Sequence, residues 1–125
     1  MPYARSFATA VIALSIAACA MMGGAPTRTS DGVLTNDAGM TLYTFDKDPA
    51  GAGKSVCNGP CATNWPPLLA DADAKASGDY TIVKRDDGRM QWAHKGKPLY
   101  LWIKDKQPGE RTGDGFNNVW HVAKP

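Results

Sequence analysis

The chain has 125 residues, 43% hydrophobic and 21% charged, with 14 Lys and Arg against 12 Asp and Glu for a formal net charge of +2. That length accommodates one domain, and the balanced charge argues against a nucleic-acid binder, which normally shows a clustered basic face. Thirteen Gly and nine Pro argue against a helical bundle. At the start of the chain, a cationic, acid-free stretch containing Arg5 leads into an apolar run over residues 7–18, broken only by Thr9 and Ser15. The run is shorter than the ~20 apolar residues that a bilayer span needs. A positive start, a short apolar middle and small residues at the end predict a secretory signal peptide over residues 1–18. Its removal takes away Arg5 and no acid, which brings the mature chain closer to neutrality.

The signal ends Ile16-Ala17-Ala18-Cys19. This resembles the lipobox of bacterial lipoproteins, and the resemblance implies that Cys19 becomes a lipidated N-terminus. Several acyl chains on one Cys make a stable membrane anchor where a single chain is marginal. Ordinary cleavage near Ala18 or Ala20 would instead leave the terminus unmodified. Ala20 stands where an Asp would resemble an inner-membrane retention signal, so the outer membrane is favoured in a cell that has one. Residues 19–30 carry Gly, Pro, Thr and Ser without apolar periodicity and predict a flexible tether, although residues 26–30 could supply a first edge strand.

The folded part, residues 31–125, reads as β structure. Val33-Leu34-Thr35, followed by Asn36-Asp37-Ala38-Gly39, has the pattern of a hairpin. Leu42 to Phe45 is a strand. Tyr80 to Lys84 and Arg89 to Ala93 flank an Asp-Gly turn signal at Asp87-Gly88. Leu99 to Ile103 alternates with Leu99, Leu101 and Ile103 on one face and Tyr100 and Trp102 on the other, which predicts a central strand. Val119 to Val122 is a last short strand, with the less regular Trp65-Pro66-Pro67-Leu68-Leu69 as its counterpart. The single helical candidate is 70–76, too short to stand alone.

Internal similarity organises these elements. Gly39, Leu42, Tyr43, Phe45, Lys47 and Asp48 align without a gap on Gly96, Leu99, Tyr100, Trp102, Lys104 and Asp105, and Trp65 then falls near Trp120. The chain is therefore a duplication: repeat one over 31–70, a connector over 71–79 and repeat two over 80–125. Tyr43-x-Phe45-x-x-Asp48 and Tyr100-x-Trp102-x-x-Asp105 resemble the Y-x-[FWY]-x-x-D motif of a bacterial family of predicted lipoproteins, also called the secreted repeat of unknown function. The block Ser55, Cys57, Cys61, Ala62, Trp65, Pro66, Pro67 and the closing segment over 113–122 are similar to that family too. The resemblance implies an exported, often lipid-anchored, tandem-repeat protein, and it brings no catalytic residues with it.

Cys57 and Cys61 enclose Asn58-Gly59-Pro60, and in an exported protein this spacing predicts a structural disulfide. The three-residue gap departs from the two of thiol oxidoreductases, and Ala62 replaces the His of covalent haem attachment. A copper- or redox-handling protein using Cys57 and Cys61, with His121 or His94 as a further ligand, is the alternative reading. Neither His has a second His at ligand spacing. Tyr43, Phe45, Tyr100 and Trp102 are expected in two symmetry-related core layers rather than a ligand platform. Asp48 and Asp105 are expected to close turns. Gly51, Gly53 and Lys54 miss the spacing of a phosphate loop, and no serine lies in a hydrolase elbow.

The sequence thus predicts an all-β single compact domain of two tandem, hairpin-containing repeats with little helix. It further predicts a non-catalytic envelope lipoprotein without a cofactor, whose loops meet a protein, glycan or small ligand but no nucleic acid.

Overall fold

The computed structural model describes residues 25–125, so the signal peptide over 1–18 and Cys19 lie outside the described residues. Strands β1 (Arg28–Ser30) and β2 (Val33–Thr35) form the first hairpin. Its two-residue turn places Asp31 at φ 49 and Gly32 at φ 80, the pair of left-handed residues whose twist matches that of hairpin strands. β1 falls in the stretch assigned to the tether, where the edge strand was the alternative. Strand β3 (Tyr43–Phe45) follows, then helix α1 (Pro60–Asn64). Strands β4 (Tyr80–Lys84), β5 (Met90–His94) and β6 (Lys97–Pro98) make a three-stranded antiparallel sheet. A 3-10 turn (Phe116–Asn118) leads into β7 (Trp120–Val122). The described residues are therefore β-dominated, in agreement with the predicted fold class.

One helix goes unanticipated and one strand ends early. Residues 70–76, the helical candidate judged too short to stand alone, form no helix, whereas α1 forms at Pro60–Asn64, where the sequence offered no helical signal. Pro60 sits in the first turn, where its missing N–H leaves no intrahelical bond unmade. Residue 70 is instead held by the bond from its N–H to the Met90 carbonyl (2.9 Å), and the chain turns at Ala74. The alternation over Leu99 to Ile103 also ends early. Tyr100 is central, bridged by Tyr43 on one side and Pro67 on the other. Ile103, however, is 45% exposed, because the chain bends where the Asp105 N–H bonds the Trp102 carbonyl.

The two repeats are interleaved rather than stacked side by side. β3 of repeat one pairs with β7 of repeat two, Tyr43 opposite Val122 and Phe45 opposite Trp120. The reciprocal contact joins 99–103 of repeat two to 64–68 of repeat one, through Leu68 N–H to Leu99 O (2.9 Å) and Leu101 N–H to Pro66 O (2.7 Å). Between them, Tyr43 and Tyr100 exchange backbone bonds of 2.8 and 2.9 Å. Each hairpin ends in the same three-bond ring. Leu34 bonds Ala123, Ala123 bonds Leu42 and Leu42 bonds Leu34; likewise Trp92 bonds Leu68, Leu68 bonds Leu99 and Leu99 bonds Trp92. An approximate two-fold axis runs between Tyr43 and Tyr100, and each hairpin is completed by the other repeat's last segment.

The core follows this exchange, which corrects the expectation of two aromatic layers. Phe45, Trp120, Trp65 and Trp102 form one column, with centroid spacings of 4.1, 3.8 and 3.9 Å and interplanar angles of 10°, 3° and 24°. The rings alternate between the repeats, and the central Trp120–Trp65 pair consists of the two residues that the duplication relates. Each such contact contributes about 0.5–1.5 kcal/mol beyond its buried area. A second, aliphatic cluster of Leu34, Leu42, Leu99 and Ala123 lies under the three-bond rings.

Candidate functional site

The interleaving brings each repeat's tyrosine to the other repeat's aspartate. The Tyr43 hydroxyl donates to Asp105 Oδ2 at 2.5 Å, and the Tyr100 hydroxyl donates to Asp48 Oδ2. Both tyrosines are fully buried and both aspartates are 6% exposed. The second carboxylate oxygens close the loops that follow. Asp48 Oδ1 accepts the Val56 N–H (2.8 Å), and Asp105 Oδ1 accepts the N–H and hydroxyl of Thr112 (3.0 and 2.6 Å). The aspartates do close loops, and they also clasp the opposite repeat, a role that local turn chemistry does not suggest.

One clasp is extended by a buried cation. Arg85, 2% exposed, donates through Nη1 to Gln91 Oε1 (2.7 Å) and Ser55 Oγ (3.0 Å), and through Nη2 to the Cys57 carbonyl. With the Tyr100 proton directed to Asp48, the Ser55 hydroxyl donates to Tyr100 at 2.6 Å. The chain Arg85–Ser55–Tyr100–Asp48 thus runs from cation to carboxylate with every donor pointing the same way, an order that strengthens each bond. Burial raises the Asp48 pKa, opposed by the bonds from Tyr100 and the Val56 N–H and by the Arg85 charge. Burial and, next, the hydrogen bond to a carboxylate hold both Tyr43 and Tyr100 well above the ordinary phenol range. Such bonds to a charged partner are worth about 1.5–3 kcal/mol each. Sequence reasoning missed Arg85 and Gln91: beside a turn and on an alternating strand, neither residue carries a pattern that signals burial.

Cys57 and Cys61 form a disulfide with Cα atoms 5.2 Å apart. Cys57 packs inside the aromatic cluster, beside which Cys61 is partly buried. The histidines lie elsewhere. Thr44 and His121 pair across β3 and β7, His94 and Lys97 pair across β5 and β6, and all four line one cleft of about 340 Å³. His121 Nε2 meets Asp46 Oδ2 at 2.7 Å on the cleft wall. His94, 8% exposed, has its pKa lowered by burial and by Lys95, against a smaller opposite effect of Asp79. The cysteines do not line this cleft, and no group of three or more metal-ligating side chains occurs among the described residues. The two aspartates of the clasps are likewise absent from its lining.

A protein family described as a secreted repeat of unknown function matches the chain twice, over residues 26–69 and 81–124. The two matches coincide with the duplication and together span well over half of the chain. No curated protein and no solved structure matches it. With each matched copy supplying one tyrosine and one aspartate to the reciprocal clasps, the chain belongs to the family of secreted repeats of unknown function.

Proposed function

We propose that the chain is an exported, lipid-anchored envelope protein that works by binding and not by catalysis. Family membership implies export, and the Ile16-Ala17-Ala18-Cys19 segment supports the anchor. The observation that carries the binding reading is the commitment of the buried chemistry to the fold. Asp48, Asp105, Tyr43, Tyr100 and Arg85, the groups best suited to acid–base work, are joined to one another and to backbone across the repeat boundary. The surface cleft and loops are left for recognition.

Palmitate labelling of the full chain in a bacterial host tests the anchor: wild type takes up label and Cys19→Ser does not. An unlabelled wild type overturns it. Asp48→Asn and Asp105→Asn test the rest. Lowered stability is expected of both variants, whereas a well-folded variant that has lost a turnover would assign the carboxylates to a reaction. Free thiols at Cys57 and Cys61 with stoichiometric copper uptake would favour the redox-handling alternative instead.

A further inference from the structure

We infer that the cleft between the β3–β7 ribbon and the β5–β6 turn binds an oxyanion of the phosphate class. The inference rests on the binding reading above and names the ligand chemistry for it. Lys95 in the turn, Lys97 on β6 and Lys124 just beyond β7 line the cleft together with His94, His121 and Thr44. None of the three lysines has a carboxylate within 4.0 Å among the described residues, as is true of the other described lysines; what sets these three apart is that they converge on one cleft. The acid on the cleft wall, Asp46, is engaged by His121.

This concentration does not follow from the composition, since the whole chain is close to charge balance. Three ammonium groups around a concavity raise the local anion concentration, and ammonium, imidazole and hydroxyl groups are the donors that phosphate oxygens accept. A neutral glycan is a poorer fit, because apart from the two imidazoles the lining has no aromatic ring for a sugar face to lie on. The volume, about 340 Å³, suits a small ligand or a headgroup. The turn that carries Lys95 is fixed by its backbone. Lys95 and Gly96 take left-handed φ values of 51 and 81 in a two-residue turn, and the Lys95 N–H is held by the Asp79 carbonyl at 2.8 Å.

The test uses the full chain carrying Cys19→Ser, so that no acyl chain contributes. Inorganic phosphate is titrated at constant ionic strength against chloride, while the His94 and His121 imidazole signals are followed by NMR. A parallel arm measures co-sedimentation with phosphatidylcholine vesicles containing phosphatidylglycerol. The expected result is saturable shifts at both histidines, weakened at least about tenfold in Lys95→Asn/Lys97→Gln/Lys124→Gln, equivalent to about 1.4 kcal/mol or more. Lys75→Gln/Lys84→Gln, which lies outside the cleft, is expected to match the parent. Asn is used at residue 95 because it tolerates a positive φ. Saturation by phosphate without vesicle binding identifies a soluble phosphate ligand; vesicle binding that depends on the three lysines identifies a lipid headgroup. Linear shifts that chloride reproduces, with no lysine-dependent vesicle binding, overturn the inference. The stability and turnover outcomes for Asp48→Asn and Asp105→Asn, which test the binding reading, are untouched by that result, so the two readings fail separately.

Discussion

Removing one hydroxyl from each clasp measures what the exchange between repeats contributes. Tyr100→Phe keeps the ring in its buried place and deletes the bonds to Asp48 and Ser55; Tyr43→Phe deletes those to Asp105 and the Gly113 N–H. Each substitution removes one bond to a carboxylate, worth about 1.5–3 kcal/mol, and leaves a buried oxygen with fewer donors. A loss of about 2 kcal/mol per variant is expected, or about 8–16 °C in Tm for a domain of this size. Because the two hydroxyls share no hydrogen-bond partner, the double variant should lose close to the sum, within about 0.5 kcal/mol. Within one clasp the opposite holds. Tyr100→Phe and Asp48→Asn should be strongly non-additive, with a coupling of about 1–2 kcal/mol. Urea unfolding followed by Trp fluorescence supplies all the free energies. Losses below about 0.5 kcal/mol, the scale of neutral surface changes, or additivity between Tyr100 and Asp48, would refute the role given to the clasps.

Three further outcomes are expected. Adding a methyl group at Gly113 places a Cβ 2.6 Å from Trp65 Cη2 and 3.0 Å from the Trp102 ring, so Gly113→Ala should cost about 1–3 kcal/mol and alter the near-UV circular dichroism of the tryptophan column. An unchanged spectrum would contradict this packing. Cys57→Ala/Cys61→Ala opens a ring with a sequence separation of 4, for which chain entropy gives about 2 kcal/mol of lost stability by urea unfolding; an unaffected midpoint would count against the disulfide. Finally, the folded chain holds the Tyr43 and Tyr100 protons above the ordinary value, while the unfolded chain releases them near pH ~10. Stability from this source is therefore complete below that pH and falls as pH rises beyond it. Tyrosinate absorbance from these two residues should appear together with unfolding, and ionisation with the fold intact would oppose the assignment.

The duplication and its β character were legible because matching residues recur at fixed spacing and the Asp87-Gly88 pair punctuates two strand-like segments. The partner of each segment was not. Trp65 and Trp120 are recognisably equivalent in sequence, yet nothing in either repeat says that they stack on each other rather than in two separate layers. The positions of Asp48 and Asp105 after their strands suggest local turns, and a bond to a tyrosine in the other copy leaves no trace in spacing. The Ala-rich stretch 70–76 was rightly denied a helix, being tied at Ala70 to β5, but the five-residue α1 that Pro60 starts beside the disulfide is too short to leave a periodic signal. Arg85 was legible only as a charge beside a turn; its burial depends on Gln91 of the adjoining β5 and on Ser55 and the Cys57 carbonyl in a distant loop of the other repeat. Both histidines were singled out, but their meeting in one cleft depends on how β5 and β7 lie in the fold.

The crossing of segments between repeats has a consequence for biogenesis. The first hairpin obtains its bond partner for Leu34 and Leu42 from Ala123, at the far end of the chain. A polypeptide threaded through a membrane N-terminus first therefore exposes Leu34, Leu42 and Phe45 long before β7 arrives to cover them. Neither repeat completes its own hairpin, so closure of the first half waits on residues at the far end of the chain. Trimming the C-terminus back to Val119 would accordingly remove the closure of the whole molecule and not merely its tail.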